Sequence, residues 1–342
     1  MSKAEERLHL KNLSKEYLPI TGYLPFCKQA ITLVCGETTK PLFSMQTVGG
    51  TGALYIAAKV LLHANIKEIF ISEPSWPNHR QLFEAAGLKV STYPYYDRDK
   101  AELDFPGLIE AISKMPKESA ILLQASCHNP TGIDPTPAQW KTLSDLILEK
   151  QITPLFDLAY QGLGSTLDED SQSIRLFLAA GHEMMIATTL AKNFGLYNEL
   201  AGALIVHSSQ DAIICLESHA KAIARSCYSS PPAHGAQIAT FLLEDEELKM
   251  LWHHELETTR KQLQLQREIL FSALQKKNPP FAFEHLMRTN GLFCLFGLSN
   301  AQVIQLREEH AIYVALDGRI CIAAITEERA ERISQAFCEL ST

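Results

Sequence analysis

Through the middle of the chain, short unbroken apolar runs alternate with longer stretches whose apolar residues recur every three or four positions. The runs KEIFIS (67–72), SAILLQAS (119–126), ITPLFD (152–157), MMIATTL (184–190) and AGALIVH (201–207) have the length and the aliphatic content of buried strands. Between them, TGALYIAAKVLLHA (51–64), WPNHRQLFEAAG (76–87) and PTPAQWKTLSDLILEK (135–150) read as helices. The last has a proline in its opening turn, where a missing N–H is harmless. This alternation predicts an α/β fold of stacked βαβ units around a mostly parallel sheet.

From about 246 to 277 the residues are Glu, Lys, Gln and Leu without Gly or Pro, which predicts one long helix joining two domains. Beyond it the pattern changes. NPPFAF (278–283), GLFCLFG (291–297) and IYVALDGRICIAAI (312–325) read as strands around a helix SNAQVIQLREEHA, with a closing helix TEERAERISQAFCEL. The expected organisation is a large domain over 1–256 and a small C-terminal α+β domain over 257–342.

Composition narrows the function. The 342 residues are 46% hydrophobic, enough for a substantial core, and the net charge of -8 offers no basic footprint for nucleic acid or an anionic membrane. The charged start MSKAEERLHLKNLSKEY is unlike a secretory signal, and no run approaches the roughly 18 apolar residues of a membrane span, so a cytoplasmic location is expected. The cysteines form no CxxC pair, which argues against a disulfide framework and a zinc site.

Four short segments carry candidate chemistry. GGTGAL (49–54) opens a helix with free N–H groups suited to a phosphate, or is simply a glycine turn entering a core helix; it fails the dinucleotide fingerprint at Tyr55. SCHNPTG (126–132) follows a strand, where ligand-facing loops lie, and aims His128 and Asn129 at a crevice, though Asn-Pro-Thr-Gly is also an ordinary turn. LFDLAYQGLG (155–164) ends a strand with Asp157 and Tyr160; Asp157 suits a positive partner or caps the next helix. Lys192 stands after the strand MMIATTL, either as a desolvated amine nucleophile for an aldehyde or as a surface charge.

Together MQTVGGTGAL, EPSWPNHRQLF, SCHNPTGIDPTPAQW, PLFDLAYQG, AKNFGLYNE and CYSSPPAHGA resemble, in order and spacing, the aspartate and aromatic aminotransferase family of fold-type I pyridoxal-phosphate enzymes. The resemblance implies a seven-stranded sheet, bound pyridoxal 5'-phosphate, and amino-group exchange between amino acids and 2-oxo acids such as 2-oxoglutarate. It makes Lys192 the lysine that bonds the cofactor aldehyde and then serves as general acid and base. Asp157 would hold the ring nitrogen protonated, with His79 behind it and Trp76 on the ring face. Asn129 and Tyr160 would bond the phenolate oxygen, and Gly50, Thr51 and Thr189 the phosphate, with Tyr17 arriving from a second subunit. Arg319 would take the substrate's α-carboxylate and Arg225, across the interface of a homodimer with shared sites, its side-chain carboxylate. Trp76 and Asn129 would also border the substrate.

The sequence departs from the family at Leu200, where relatives place an arginine that clamps the phosphate, and at Ala191, often serine. Relatives also carry several dozen residues ahead of the segment matching Lys3. These departures motivate an alternative, a catalytically weakened or silent binding or regulatory relative. A different pyridoxal-phosphate reaction, such as β-elimination or decarboxylation, is a third reading that the two arginines make less attractive.

Overall fold

The computed structural model describes residues 1–340. A seven-stranded sheet forms its centre, in the spatial order 42–48, 201–207, 184–189, 153–158, 120–124, 68–73, 89–94. Strand Ala201–His207 runs antiparallel to both its neighbours. The pairings 184–189 with 153–158, 153–158 with 120–124, 120–124 with 68–73, and 68–73 with 89–94 are all parallel. The sheet is thus mostly parallel, with helices on both faces. Strands Ala120–Gln124, Met184–Thr189 and Ala201–His207 are buried at every residue, the reason they read as unbroken apolar runs rather than alternating ones.

Helix Gly49–His63 lies against this sheet, and its start is set by a close approach to the antiparallel strand. A Cβ on Gly202 would sit 2.4 Å from the Gly49 carbonyl carbon, so only glycine fits there. Helix Pro137–Glu149 begins with a capping box of Thr136 and Gln139 and has Pro137 in its first turn. The long helix spans Glu246–Lys277, capped by the Asp245 side chain and ended by Asn278 in the left-handed conformation.

The C-terminal part is less regular than its apolar runs suggest. Residues 278–283 form no strand: Pro279 and Pro280 lack the N–H that a ladder requires, and a 3₁₀ turn follows at Glu284–Arg288. Of 291–297 and 312–325, only Phe293–Leu295 and Arg319–Cys321 pair, as an antiparallel two-stranded ribbon. The segment Ile312–Leu316 finds no neighbouring strand, and Tyr313 and Leu316 are left 79% and 64% exposed. Helices Asn300–His310 and Glu327–Glu339 are present where the periodicity puts them. Two edge strands, Leu42–Val48 and Lys89–Pro94, escape the sequence pattern. Among the described residues no helix is long and apolar enough to cross a membrane.

Candidate active site

At the carboxyl ends of the parallel strands lies a cavity of about 530 Å³, lined among others by Gly50, Thr51, Trp76, Asn129, Asp157, Tyr160, Thr189, Lys192 and Leu200. This is where ligands sit in open α/β sheets. Each polar residue arrives on the connection leaving a strand: Asn129 after 120–124, Asp157 and Tyr160 at the end of 153–158, Lys192 after 184–189.

The turn carrying Lys192 is held from several sides. Thr189 Oγ1 accepts from the Ala191 N–H at 3.3 Å, and the Leu190 N–H donates to Ala201 O at 2.9 Å. From the long helix, Trp252 Nε1 donates to Asn193 O at 2.8 Å while its ring lies 4.4 Å from that of Phe194. The Lys192 amine itself sits 5.2 Å from the Tyr160 ring centre and has no hydrogen-bond acceptor among the described residues. Burial holds its pKa below the ordinary lysine value, against the opposing attraction of Asp157. The same burial, reinforced by Asp157, raises the Tyr160 phenol.

Asp157 is oriented from behind. His79, fully buried on helix Asn78–Ala86, places Nε2 3.1 Å from Asp157 Oδ2 and Nδ1 2.8 Å from Ser75 Oγ, so both ring nitrogens are partnered. The Trp76 indole meets the His79 ring edge-on at 5.2 Å and forms one wall of the cavity.

On the opposite side, Asn129 Nδ2 donates to the Tyr160 hydroxyl at 3.3 Å, and Arg319 Nη1 donates to Asn129 Oδ1. The Arg319 guanidinium lies 4.6 Å from the Phe293 ring centre, a cation–π contact that helps to hold it. Backbone bonds to Gln124 pin Asn129: its N–H donates to Gln124 Oε1 at 2.8 Å, and its carbonyl accepts from Gln124 Nε2 at 3.0 Å.

The floor is the start of helix Gly49–His63. Val48 supplies no side-chain cap, so first-turn N–H groups remain available to an anion, and the helix dipole adds its positive end. Gly49 N–H is taken by Leu200 O at 2.5 Å. Leu200 borders this floor with an apolar side chain, in the left-handed conformation at φ 49°.

The family model described as aminotransferase class I and II matches residues 1–337. The chain belongs to this family. It is 39% identical over 344 aligned positions to the aspartate aminotransferase of Escherichia coli K12, covering 98% of this chain and 87% of that protein. A cytoplasmic aspartate aminotransferase of rice is also 39% identical, covering 97% of this chain and 84% of its own length. Among solved structures, the aromatic-amino-acid aminotransferase of Burkholderia pseudomallei, covalently bound to pyridoxal phosphate, matches at TM-score 0.95 and 34% identity, covering 99% of this chain and 86% of that one. The broad-specificity aminotransferase of Leishmania mexicana matches at TM-score 0.95 and 37% identity, with 99% and 85% covered.

This aminotransferase therefore brings together most of the residues singled out in its sequence. Tyr17, 92% exposed, and Arg225, exposed in the last turn of helix Gln210–Cys227, lie elsewhere in the same protomer, while His79 and Arg319 stand outside the lining and reach it through Asp157 and Asn129, Arg319 lining a second cavity with Phe293. The structure adds Ser75, Gln124 and Phe293, which act on His79, Asn129 and Arg319. Of these, Gln124 alone left a trace in sequence, as the polar end of an apolar strand.

Proposed function

We propose that the chain is a pyridoxal 5'-phosphate-dependent transaminase exchanging the amino group of aspartate, glutamate or an aromatic amino acid with 2-oxoglutarate or a related 2-oxo acid, and that Lys192 carries the chemistry. The observation behind this is the half-buried Lys192 amine with no hydrogen-bond acceptor, in a cavity that also presents a carboxylate and an uncapped helix start. That set suits the cofactor. The first-turn N–H groups with Thr51 and Thr189 suit its phosphate, Asp157 its ring nitrogen, Trp76 its ring face, and Asn129 with Tyr160 its phenolate oxygen.

When bound, the cofactor supplies an electron sink for the pair released as the substrate's Cα–H bond breaks. The protein supplies the rest. Burial lowers the Lys192 pKa, so that a larger share of the amine is neutral and able to take a proton from Cα and return it elsewhere. Arg319, set over the Phe293 ring and tied to Asn129, would take the α-carboxylate with the guanidinium N–H groups that Asn129 leaves. His79 keeps Asp157 turned inward.

We further place the division between a large and a small domain within the long helix, near residue 256, and the protein in the cytoplasm as a homodimer. Tyr17 and Arg225, outside their own cavity, would then serve the partner's phosphate and side-chain carboxylate. The test is a half-reaction: cofactor-loaded protein mixed with aspartate or glutamate and followed by absorbance, with borohydride trapping and peptide mapping of the cofactor. A spectral conversion and a label on Lys192 are expected. A silent spectrum, or a label on another lysine, refutes the proposal.

A further inference from the structure

The second cavity, of about 550 Å³, lies in the C-terminal part of the chain and shares no lining residue with the one at Lys192. Its walls are chiefly apolar. Phe293 and Ile320 come from the two-stranded ribbon, Ile312 and Val314 from the segment that finds no neighbouring strand, and Ile325 and Ile333 from helix Glu327–Glu339 and its approach. Tyr313, 79% exposed, adds an aromatic side chain to the same lining.

The independent observation is the charge set into that lining. Arg319, Arg329 and Arg332 all border the cavity, and no acidic residue does. Arg329 and Arg332, three apart, share one face of helix Glu327–Glu339. None of the three is paired with a carboxylate among the described residues. Arg319 Nη1 donates to Asn129 Oδ1, Arg329 Nη1 to Ala324 O at 2.6 Å, and Arg332 Nη2 to His310 O and to Ala311 O at 3.2 Å. Every one of these acceptors is neutral, so three positive charges face an apolar hollow without a counter-charge. A bare inorganic anion would leave the apolar walls wet, and an uncharged apolar molecule would leave the guanidiniums unpaired. An anion with an apolar body answers both, because the body covers the walls and the flat guanidinium forks match the two oxygens of a carboxylate.

We propose that this cavity is a second binding site, for a small aromatic carboxylate, whose carboxylate is taken by Arg329 and Arg332 and whose ring rests on the apolar walls. The site stands apart from the chemistry at Lys192 and does not rest on it. It nevertheless adjoins the active site, since Arg319 lines this cavity and donates to Asn129 in the lining of the other.

The test uses cofactor-loaded protein and 3-phenylpropionate, which has neither an amino nor an oxo group to exchange. Cys321, exposed and in the lining, reports occupancy through its rate of alkylation by iodoacetamide, read by peptide mass mapping, with the exposed Cys338, outside the lining, as internal standard. The ligand should slow labelling of Cys321 alone, saturably, with half-protection on the order of 1 mM. Propionate, which lacks the ring, and 3-phenylpropionamide, which lacks the charge, should each need about tenfold more or higher. Arg329→Gln combined with Arg332→Gln keeps an N–H donor for the carbonyls and removes the charge. It should raise the half-protecting concentration about tenfold or more, while Lys192→Ala leaves it unchanged. No protection, or equal protection by the amide, overturns the proposal. Protection that survives the double glutamine variant puts the carboxylate on Arg319 alone, the place proposed for the substrate, and overturns it as well. Stronger protection by phenyl phosphate overturns the choice of a carboxylate.

Discussion

Restoring a cation at the phosphate end of the cavity tests how the cofactor is held. Leu200 borders the start of helix Gly49–His63, its Cδ2 3.6 Å from where a Cβ on Gly49 would be, and it offers no donor. On the proposed reading the cofactor's phosphate is therefore left to first-turn N–H groups and threonine hydroxyls. In Leu200→Arg the backbone at φ 49° is unchanged in kind, since the left-handed conformation penalises both side chains alike. A guanidinium there adds charged hydrogen bonds worth about 1.5–3 kcal/mol each. One such bond tightens binding roughly ten- to hundredfold. The measurement is equilibrium titration of pyridoxal phosphate, followed by tryptophan quenching because Trp76 lines the site. It is made in a Lys192→Ala background, so that covalent attachment does not mask the difference. An affinity within about twofold of the Leu200 parent, in a protein with unchanged circular dichroism, refutes the assignment of this floor to phosphate.

Lys192→Ala should slow the half-reaction by at least about 10²–10⁴-fold and abolish borohydride attachment to the 188–200 peptide; stopped-flow absorbance and mass mapping check both. Arg319→Lys loses the planar fork and its fit against Phe293, so KM for the amino acid should rise about tenfold or more with a smaller change in kcat. Mixed Lys192→Ala and Arg225→Ala protomers should recover about a quarter of the parent activity, since half the dimers are then mixed and each has one intact site; no recovery refutes the sharing of Arg225. His182, 2% exposed and 3.0 Å from Ser144 Oγ, is pushed by burial from 6.5 to about 4. The native state then resists a proton that the unfolded chain accepts. The contribution of this one group is full above pH 6.5 and is lost as the pH falls from 6.5 to about 4, by at most about 3 kcal/mol. Urea melts of His182→Gln should lose that slope, and an unchanged slope assigns it elsewhere.

What the sequence made legible follows from what each residue touches. Strands 120–124, 184–189 and 201–207 are covered on both faces, so burial writes itself into composition as an unbroken apolar run. The edge strands carry Ser44, Gln46 and Thr47, or Lys89, Ser91 and Thr92, because part of each faces solvent or a polar neighbour. Gln46, buried, bonds Tyr23 N and Pro232 O, partners far away in the chain. A local window contains neither. The C-terminal runs failed for the converse reason: apolar, β-prone residues at 312–316 name a strand, but a strand exists only where another pairs with it.

The same distinction divides the site. Lys192, Asp157, Asn129 and Tyr160 were visible because polar groups at the carboxyl ends of apolar strands are unusual and motif spacing reinforced them. The residues that tune them were not, since Ser75, Phe293 and Trp252 act through contacts that no periodicity encodes. Yet the tuning decides the chemistry. Burial favours a neutral Lys192 amine, and Asp157 favours a charged one. A carboxylate free to swing would close on the amine and keep it protonated. One Asp157 oxygen is instead held by His79, itself held by Ser75 in the loop that also carries Trp76. The Lys192 turn is pinned from the far side by Trp252. Acid and amine thus face one cavity with an Asp157 oxygen held by His79 and the Lys192 turn held by Trp252, the arrangement that the proposed proton transfer at Lys192 requires.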